Sequence, residues 1–380
     1  MPSATQAWVI FGICLTIKNL SMPTRRTLWP CYSAASRNWW SGLSLYDRIA
    51  IPFDYRYSPS FAVAYTPFTW GPDWLGAAAW GLFLLMVLWL GLRALQRDVL
   101  PLNWTPLQIE IWLCLTLLGM SHSLWSGQSN TLIVACATGA CSAIARGRWW
   151  MAGLLLVAPG FIKVWPFLLA LLCFLSWPRK LCLPCVVWSI AGAALPFLTQ
   201  KPRYVYDEYI EWWRCLRSGP IMTRIASYDA WGLWDSFRAP ISETGYLSVQ
   251  ILSVIGLIVL TLRMAYKHTD LKLRLTSLLL AWSSWQLFLG PGVEKNTLSL
   301  LTPGSSWAWL RGWELKQGRG LLSLALVLTL TAIQFNDTWA VRIGGEWVRL
   351  LHPVGLILLW GGILQAGMLR KDEDSMQDSG

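Results

Sequence analysis

The chain has 380 residues, 55% of them hydrophobic and only 13% charged, with a formal net charge of +11. A soluble globular chain carries nearer a quarter charged residues, so composition excludes an ordinary water-soluble enzyme. The basic excess does not point to nucleic acid either, because much of it stands beside apolar stretches, where Lys and Arg set topology and meet anionic lipid.

Twelve apolar stretches follow one another, at roughly 7–21, 75–95, 105–124, 127–145, 149–162, 165–177, 181–198, 246–265, 271–289, 296–310, 320–335 and 350–369. A helix needs about 20 apolar residues to cross roughly 30 Å of hydrocarbon, and 75–95 and 246–265 supply them readily. The first stretch is weaker and contains Lys18 and Asn19. The stretches 149–162 and 165–177 are short, with Pro159, Gly160 and Pro166 at their junction. They read as two spans; one bent helix would invert every later connector. Backbone in lipid must satisfy its own hydrogen bonds, and no strand-period pattern competes. The expected fold is therefore an all-α bundle of about 12 transmembrane helices, one membrane domain over 1–371 with a disordered acidic tail at 372–380.

Connector charge alternates along the chain. Arg93 and Arg97, Arg146 and Arg148, Arg179 and Lys180, Arg263 to Arg274, Arg311 to Arg319, and Arg370 and Lys371 occupy every second gap. The short gaps between them hold only Lys163, Lys295, Arg342 and Arg349. Short positive loops stay in the cytoplasm, which places both termini there and two long loops, about 22–74 and 199–244, outside. The first outer loop is rich in aromatics, among them Trp29, Tyr32, Trp39, Trp40, Tyr46, Tyr55, Tyr57, Tyr65 and Trp70. The second carries Tyr206, Tyr209, Trp212, Trp213, Tyr228, Trp231 and Trp234. Short helices are expected over 34–40 and 60–65, with most of these rings forming an interfacial belt and a few stacking on sugar or lipid. Most of the nine cysteines lie inside spans as small apolar residues. Cys31 and Cys215 both fall in outer loops, where an oxidising compartment permits a disulfide.

The polar clusters gather on the outer side. They are Asp54-Tyr55-Arg56-Tyr57-Ser58-Pro59, Gly127-Gln128-Ser129-Asn130, Lys163-Val164-Trp165-Pro166 and Gly290-Pro291-Gly292-Val293-Glu294. Ionisable groups at a membrane boundary are costly and often functional, so four such clusters at one face suggest a shared cavity. Each has a plain alternative. Gln128 and Asn130 are placed to cap the next helix. Lys163 is long enough to snorkel. Glu294 suits a helix N-terminus, and Asp47 and Asp54 are loop carboxylates. His122 has no second ligand at useful spacing, so no metal is expected. No phosphate-cradling glycine loop, Rossmann fingerprint or nucleophile elbow occurs, so no nucleotide or other cofactor is expected.

The ordered set Gly42-Leu43-Ser44-Leu45-Tyr46, Tyr57-Ser58-Pro59-Ser60-Phe61-Ala62, Pro67, Trp80, Gly127-Gln128-Ser129-Asn130, Arg146-Gly147-Arg148, Ala152-Gly153 and Lys163-Val164-Trp165-Pro166 resembles glycosyltransferase family 87. These are the polyprenol-phosphate-mannose-dependent mannosyltransferases of the GT-C superfamily. The motif-bearing part covers about 28–180. The resemblance implies a multi-pass protein of the plasma membrane (a bacterial inner membrane) with an extracytoplasmic active site. Its donor would be a polyprenyl-phosphate sugar, its acceptor a lipid or glycan, and its setting the lipid bilayer. One carboxylate would act as general base with inversion at the anomeric carbon. The family's acid typically precedes the Tyr-x-Ala-Ala pattern, but here Thr27-Leu28-Trp29-Pro30 precedes Tyr32-Ser33-Ala34-Ala35 without an Asp or Glu. Asp54 is the preferred base, with Asp47 and Glu294 as alternatives. Arg56 and Lys163 would meet the donor phosphate, beside Tyr57, while Gln128 and Asn130 would position it. Two rival readings remain at this level: a transporter or flippase, and a non-catalytic family member.

Overall fold

Each of the twelve apolar stretches contains a helix. The computed structural model describes residues 3–47, 54–100, 104–217, 228–237, 241–267, 270–290, 293–334 and 347–368, and no strand occurs among them. The acidic tail, His268 and residues 291–292 lie outside the described residues.

The chain direction can be read from side-chain contacts. α1 (Ala4–Ser21) starts from a capping box of Ser3 and Gln6. It runs against α4 (Asp73–Asp98): the Trp8 and Trp89 rings lie 5.1 Å apart, and Asn19 Nδ2 donates to Ala77 O at 3.1 Å. Lys18 Nζ donates to Trp125 O at 3.0 Å and to Asn19 Oδ1 at 3.1 Å, so the two polar residues of the weak first stretch are satisfied inside the protein. α5 (Pro106–Trp125) returns from α4, and α6 (Asn130–Ala145) runs parallel to it. Trp80 Nε1 donates to Gly127 O at one end, and Asp98 pairs with Arg146 at 2.8 Å at the other. Gly91 lets α4 approach the Ala135 backbone, where a side chain would collide.

α7 (Trp149–Ile162) and α9 (Pro178–Ala194) also run parallel: Gly153 packs on Pro184, and Gly192 on Phe161. Two parallel helices require the chain to reverse between them, and α8 (Phe167–Ser176) does so. A single bent helix is thereby ruled out, and Lys163 sits at a genuine turn. After the short α11 (Ala230–Ser236), α12 (Glu243–Tyr266) lies against α13 (Leu271–Phe288), where Trp285 Nε1 donates to Ser253 Oγ at 2.8 Å. A buried 3₁₀ turn, Lys295–Leu301, leads into α14 (Thr302–Leu315). α15 (Arg319–Gln334) and α16 (Trp347–Gln365) close the chain as a hairpin, with Gly355 against Thr329 and Gly362 against Leu322.

Four segments are long and apolar enough to cross a membrane: Asp73–Asp98, Pro106–Trp125, Pro178–Leu198 and Glu243–Tyr266. Several of the others are shorter apolar helices. Only 6% of the most apolar window of α12 is buried, leaving Leu247, Ile251, Leu252, Ile255 and Val259 exposed. A soluble monomer does not present so continuous an apolar face to water. Hydrocarbon is its natural surroundings, and the chain is a membrane protein.

The aromatic loops depart from expectation. α2 (Trp29–Ser41) is longer than the helix expected at 34–40, while α3 (Pro59–Tyr65) matches the helix expected at 60–65. In the first loop most rings are buried and form no interfacial belt, whereas Tyr206 and Trp213 of the second loop stay exposed. Trp29, Tyr32, Trp39, Tyr55, Tyr57 and Tyr65 are all at most 7% exposed. Tyr32 lies at the centre, edge-on to Tyr57, Phe61, Tyr65 and Trp80 at centroid distances of 5.0 to 6.1 Å. Such edge-to-face pairs add to area burial, and Ala35 and Ser36 are small enough to let α2 seat deeply. Trp40 and Trp70 do remain exposed.

Candidate active site at one end of the bundle

The polar residues scattered through the sequence converge where α6 begins. The preceding turn depends on Gly127, whose φ of +62° suits glycine, and a Cβ there would lie 2.9 Å from Thr27 Oγ1. This turn delivers Gln128, Ser129 and Asn130 to the helix start. Side-chain capping does not explain them: Ser129 is the N-cap residue and makes no side-chain cap bond. Instead Asn130 Oδ1 accepts a hydrogen bond from Lys163 Nζ at 3.0 Å. Gln128 is buried on the same turn. Ser129 Oγ and Asn130 Nδ2 are buried without a partner.

Lys163 ends α7 in an extended conformation, with its backbone N–H held by Pro159 O. Part of its surface stays open, but its ammonium turns inward to Asn130. Snorkelling to water is therefore not its role. Burial lowers its pKa; the field of Glu294 opposes this and that of Arg56 adds to it. Arg56, Lys163 and Glu294 thus share one electrostatic neighbourhood although 238 residues separate the first from the last in sequence.

The segment 54–58 is fixed by the helix that follows. Ser58 caps α3, accepting from Phe61 N at 3.3 Å, and its hydroxyl also donates to Phe161 O at the end of α7. Tyr55 OH donates to Ser58 O at 3.1 Å, and Tyr46 OH to Tyr57 O at 2.8 Å. The Tyr57 and Tyr32 hydroxyls meet at 2.9 Å, and Ser129 N donates to Tyr32 OH at 3.3 Å. A hydrogen-bonded path therefore joins the first loop to the residue beside Asn130. Burial pushes the Tyr32, Tyr55 and Tyr57 phenols up, keeping them neutral donors. Asp54 pairs with Arg56 at 3.5 Å, with side-chain exposures of 40% and 31%, so this carboxylate faces an accessible space. Glu294 is exposed at the start of the 3₁₀ turn, and Asp47 is exposed beyond Tyr46. The structure brings Arg56, Asn130, Lys163 and Glu294 together, with Asp54 joined through Arg56 and Tyr57 through Tyr32.

A small apolar cleft, with room for about one water molecule, lies among residues that neighbour Lys163 in the chain. Ile133 and Ala137 of α6, Leu155, Leu156 and Pro159 of α7, Pro166 and Leu169 near α8, and Trp282 of α13 line it. Pro159 and Pro166 flank Lys163 in sequence, and Ile133 lies one turn from Asn130.

The sequence reading passed over Glu208, a buried carboxylate on α10 (Pro202–Arg217), which accepts from Leu45 N at 3.0 Å. Burial pushes its pKa up to about 7, opposed by the Leu45 N–H. Its only sequence signal is position: Tyr204, Val205, Glu208, Tyr209 and Trp212 recur at helical spacing on one face.

The sequence model of Glycosyltransferase family 87 matches residues 55–290, well over half of the chain, and that region contains the 54–58 segment from Tyr55, the α6 start, Lys163 and Glu208. No curated protein matches the chain.

Proposed function

Because the chain belongs to glycosyltransferase family 87, we propose that it moves a hexose, mannose being the favoured one, from a polyprenyl-phosphate donor to a lipid or glycan acceptor on the extracytoplasmic side of the membrane. The observation that carries this reading is the family match over residues 55–290, with the Lys163–Asn130 pair supplying a cation held inside that region. A nucleotide sugar would need polar contacts around its base and ribose. A polyprenyl phosphate needs a cation for the phosphate, a role Lys163 suits, and apolar surroundings for the chain, which the membrane itself supplies. The basic connector ends, such as Arg146 with Asp98 and Lys180 over Trp149, collect at the opposite end from Lys163. By the positive-inside rule that end faces the cytoplasm of a bacterial inner membrane, with both termini.

In the reaction, Asp54 takes the proton of an acceptor hydroxyl as that oxygen attacks the anomeric carbon. The bond from that carbon to the phosphate oxygen breaks, and polyprenyl phosphate leaves as an anion. Attack and departure on opposite faces invert the anomeric centre. Arg56 and Lys163 meet the charge growing on the leaving phosphate, the moment at which a fixed cation helps most. Asn130 holds the Lys163 ammonium in place, and Gln128 and Tyr57 shape the same wall. Asp54 suits the base role because its carboxylate is accessible beside Arg56, open to a hydroxyl entering from the aqueous side. Glu294 is the second candidate.

A polyprenyl phosphate bearing a photoreactive group in its first isoprene units tests the donor site. Cross-links should fall on α6, α7, α8 or α13 around the cleft, and excess unlabelled polyprenyl phosphate should abolish them. Labelling spread over the lipid-facing surface, unaffected by competitor, would remove the proposal's support.

A further inference from the structure

α10 lies along the first loop and touches it through one face. Tyr204 OH donates to Leu43 O at 2.7 Å, Glu208 Oε2 accepts from Leu45 N at 3.0 Å, and Trp212 Nε1 donates to Arg56 O at 3.1 Å. These three residues are spaced by four, so successive helical turns grip successive parts of one loop. The exposed flank of the helix carries the pairs Arg203–Asp207 and Arg214–Glu211, which any solvated helix could have.

Glu208 is the unusual member of the inner face. Leu45 is fully buried, so its N–H would be an orphaned donor without this acceptor. An ionised carboxylate is a costly acceptor in such a place. The groups facing it are the Tyr46 and Tyr55 phenols of the first loop, and Tyr204, Asp207 and Glu211 of its own helix. None of these is a cation. The turn it grips continues directly into Tyr46, whose hydroxyl holds Tyr57 O.

We propose that Glu208 is a positioning residue for the sugar transfer: it seats α10 on the 43–45 turn, and the seated helix holds Arg56 and Tyr57 at the donor site. This rests on the reading that segment 54–57 belongs to the transfer site. The seat is tightest with Glu208 neutral. Its folded pKa, about 7, stands above the ordinary carboxylate value, so the stabilisation is full in acid and is lost as pH rises through about 7.

The test uses the full chain in detergent or nanodiscs, with two variants. Glu208→Gln keeps an acceptor for Leu45 N–H without the titration, and Glu208→Leu removes both. Hydrogen exchange of peptides covering 43–47, 54–65 and 202–217 is followed at about pH 5.5 and about pH 8 and corrected for intrinsic rates; the wild-type peptides should open about tenfold more at the higher pH. Glu208→Gln should be protected at both pH values, and Glu208→Leu open at both. With a polyprenyl-phosphate hexose donor, Glu208→Leu should lose about tenfold in kcat with little change in donor KM, and Glu208→Gln should restore it. Wild-type exchange without pH dependence, or loosening in Glu208→Leu with kcat unchanged, would overturn the proposal. Should the wild-type protein transfer no sugar at all, the functional reading fails, while the exchange data still decide whether Glu208 seats α10.

Discussion

Replacing Lys163 by Met probes the donor site at its centre. The substitution keeps an unbranched side chain but deletes the cation. In the proposed site the ammonium, 3.0 Å from Asn130 Oδ1, faces a phosphate oxygen that gains charge as the sugar departs. Two unit charges about 4 Å apart attract by about 4 kcal/mol at an effective dielectric of about 20. If most of that is felt at the transition state, kcat/KM should fall about 10³-fold. Stability responds differently. Met leaves Asn130 Oδ1 without its partner, a penalty of about 1–3 kcal/mol, but it also removes an ammonium whose desolvation was unfavourable. These terms oppose each other, so the melting temperature should move little. Adding Asn130→Leu should recover any stability lost and none of the activity. Initial rates with a labelled polyprenyl-phosphate hexose, beside thermal unfolding of each variant, measure both. A folded Lys163→Met protein retaining a tenth or more of wild-type kcat/KM would refute the assignment of Lys163 to the donor phosphate.

Asp54→Asn should lower transfer by about 10²–10⁴-fold, the usual worth of a general base, with the unfolding transition unchanged; full activity in both Asp54→Asn and Glu294→Gln would remove the base assignment. Gly127→Ala should destabilise by about 1–2 kcal/mol, because a side chain at φ +62° is strained and its Cβ meets Thr27; an unchanged melting temperature would contradict this. Ser58→Ala loses the cap on Phe61 N and the bond to Phe161 O, and should cost about 1–2 kcal/mol with a parallel loss of transfer. Glu208 should make the protein less stable as pH rises from about 4.5 to about 7, and Glu208→Gln should flatten that slope in pH-dependent thermal unfolding.

The helices were legible because apolar runs of this length have few alternatives, and connector charge then sorted the ends. The reversal at Lys163 was legible from connector charge, since one bent helix would invert every later connector, and the parallel packing of α7 and α9 agrees with it. The convergence of Arg56, Asn130, Lys163 and Glu294 could be suspected from their shared end. The Lys163–Asn130 bond itself depends on how α6 packs against α7, which single-residue patterns do not carry. The first-loop aromatics differ from the expected belt for a physical reason. Tyr and Trp suit an interface and a hydrogen-bonded core equally well, and only the packing of α2 and α3 onto Trp80 separates the two. Glu208 was hidden among acids: with Asp207 and Glu211 as neighbours it reads as a solvated helix face. It turns inward because Tyr204 and Trp212, four residues to either side, anchor the same face.

The most direct test is transfer itself: purified protein in liposomes, given a polyprenyl-phosphate [³H]hexose and a membrane extract as the acceptor source. The account predicts a new labelled glycolipid or glycan, formed with release of polyprenyl phosphate and absent with Lys163→Met. A folded wild-type protein that leaves the donor intact across hexoses and acceptors, or equal product from Lys163→Met, would contradict it.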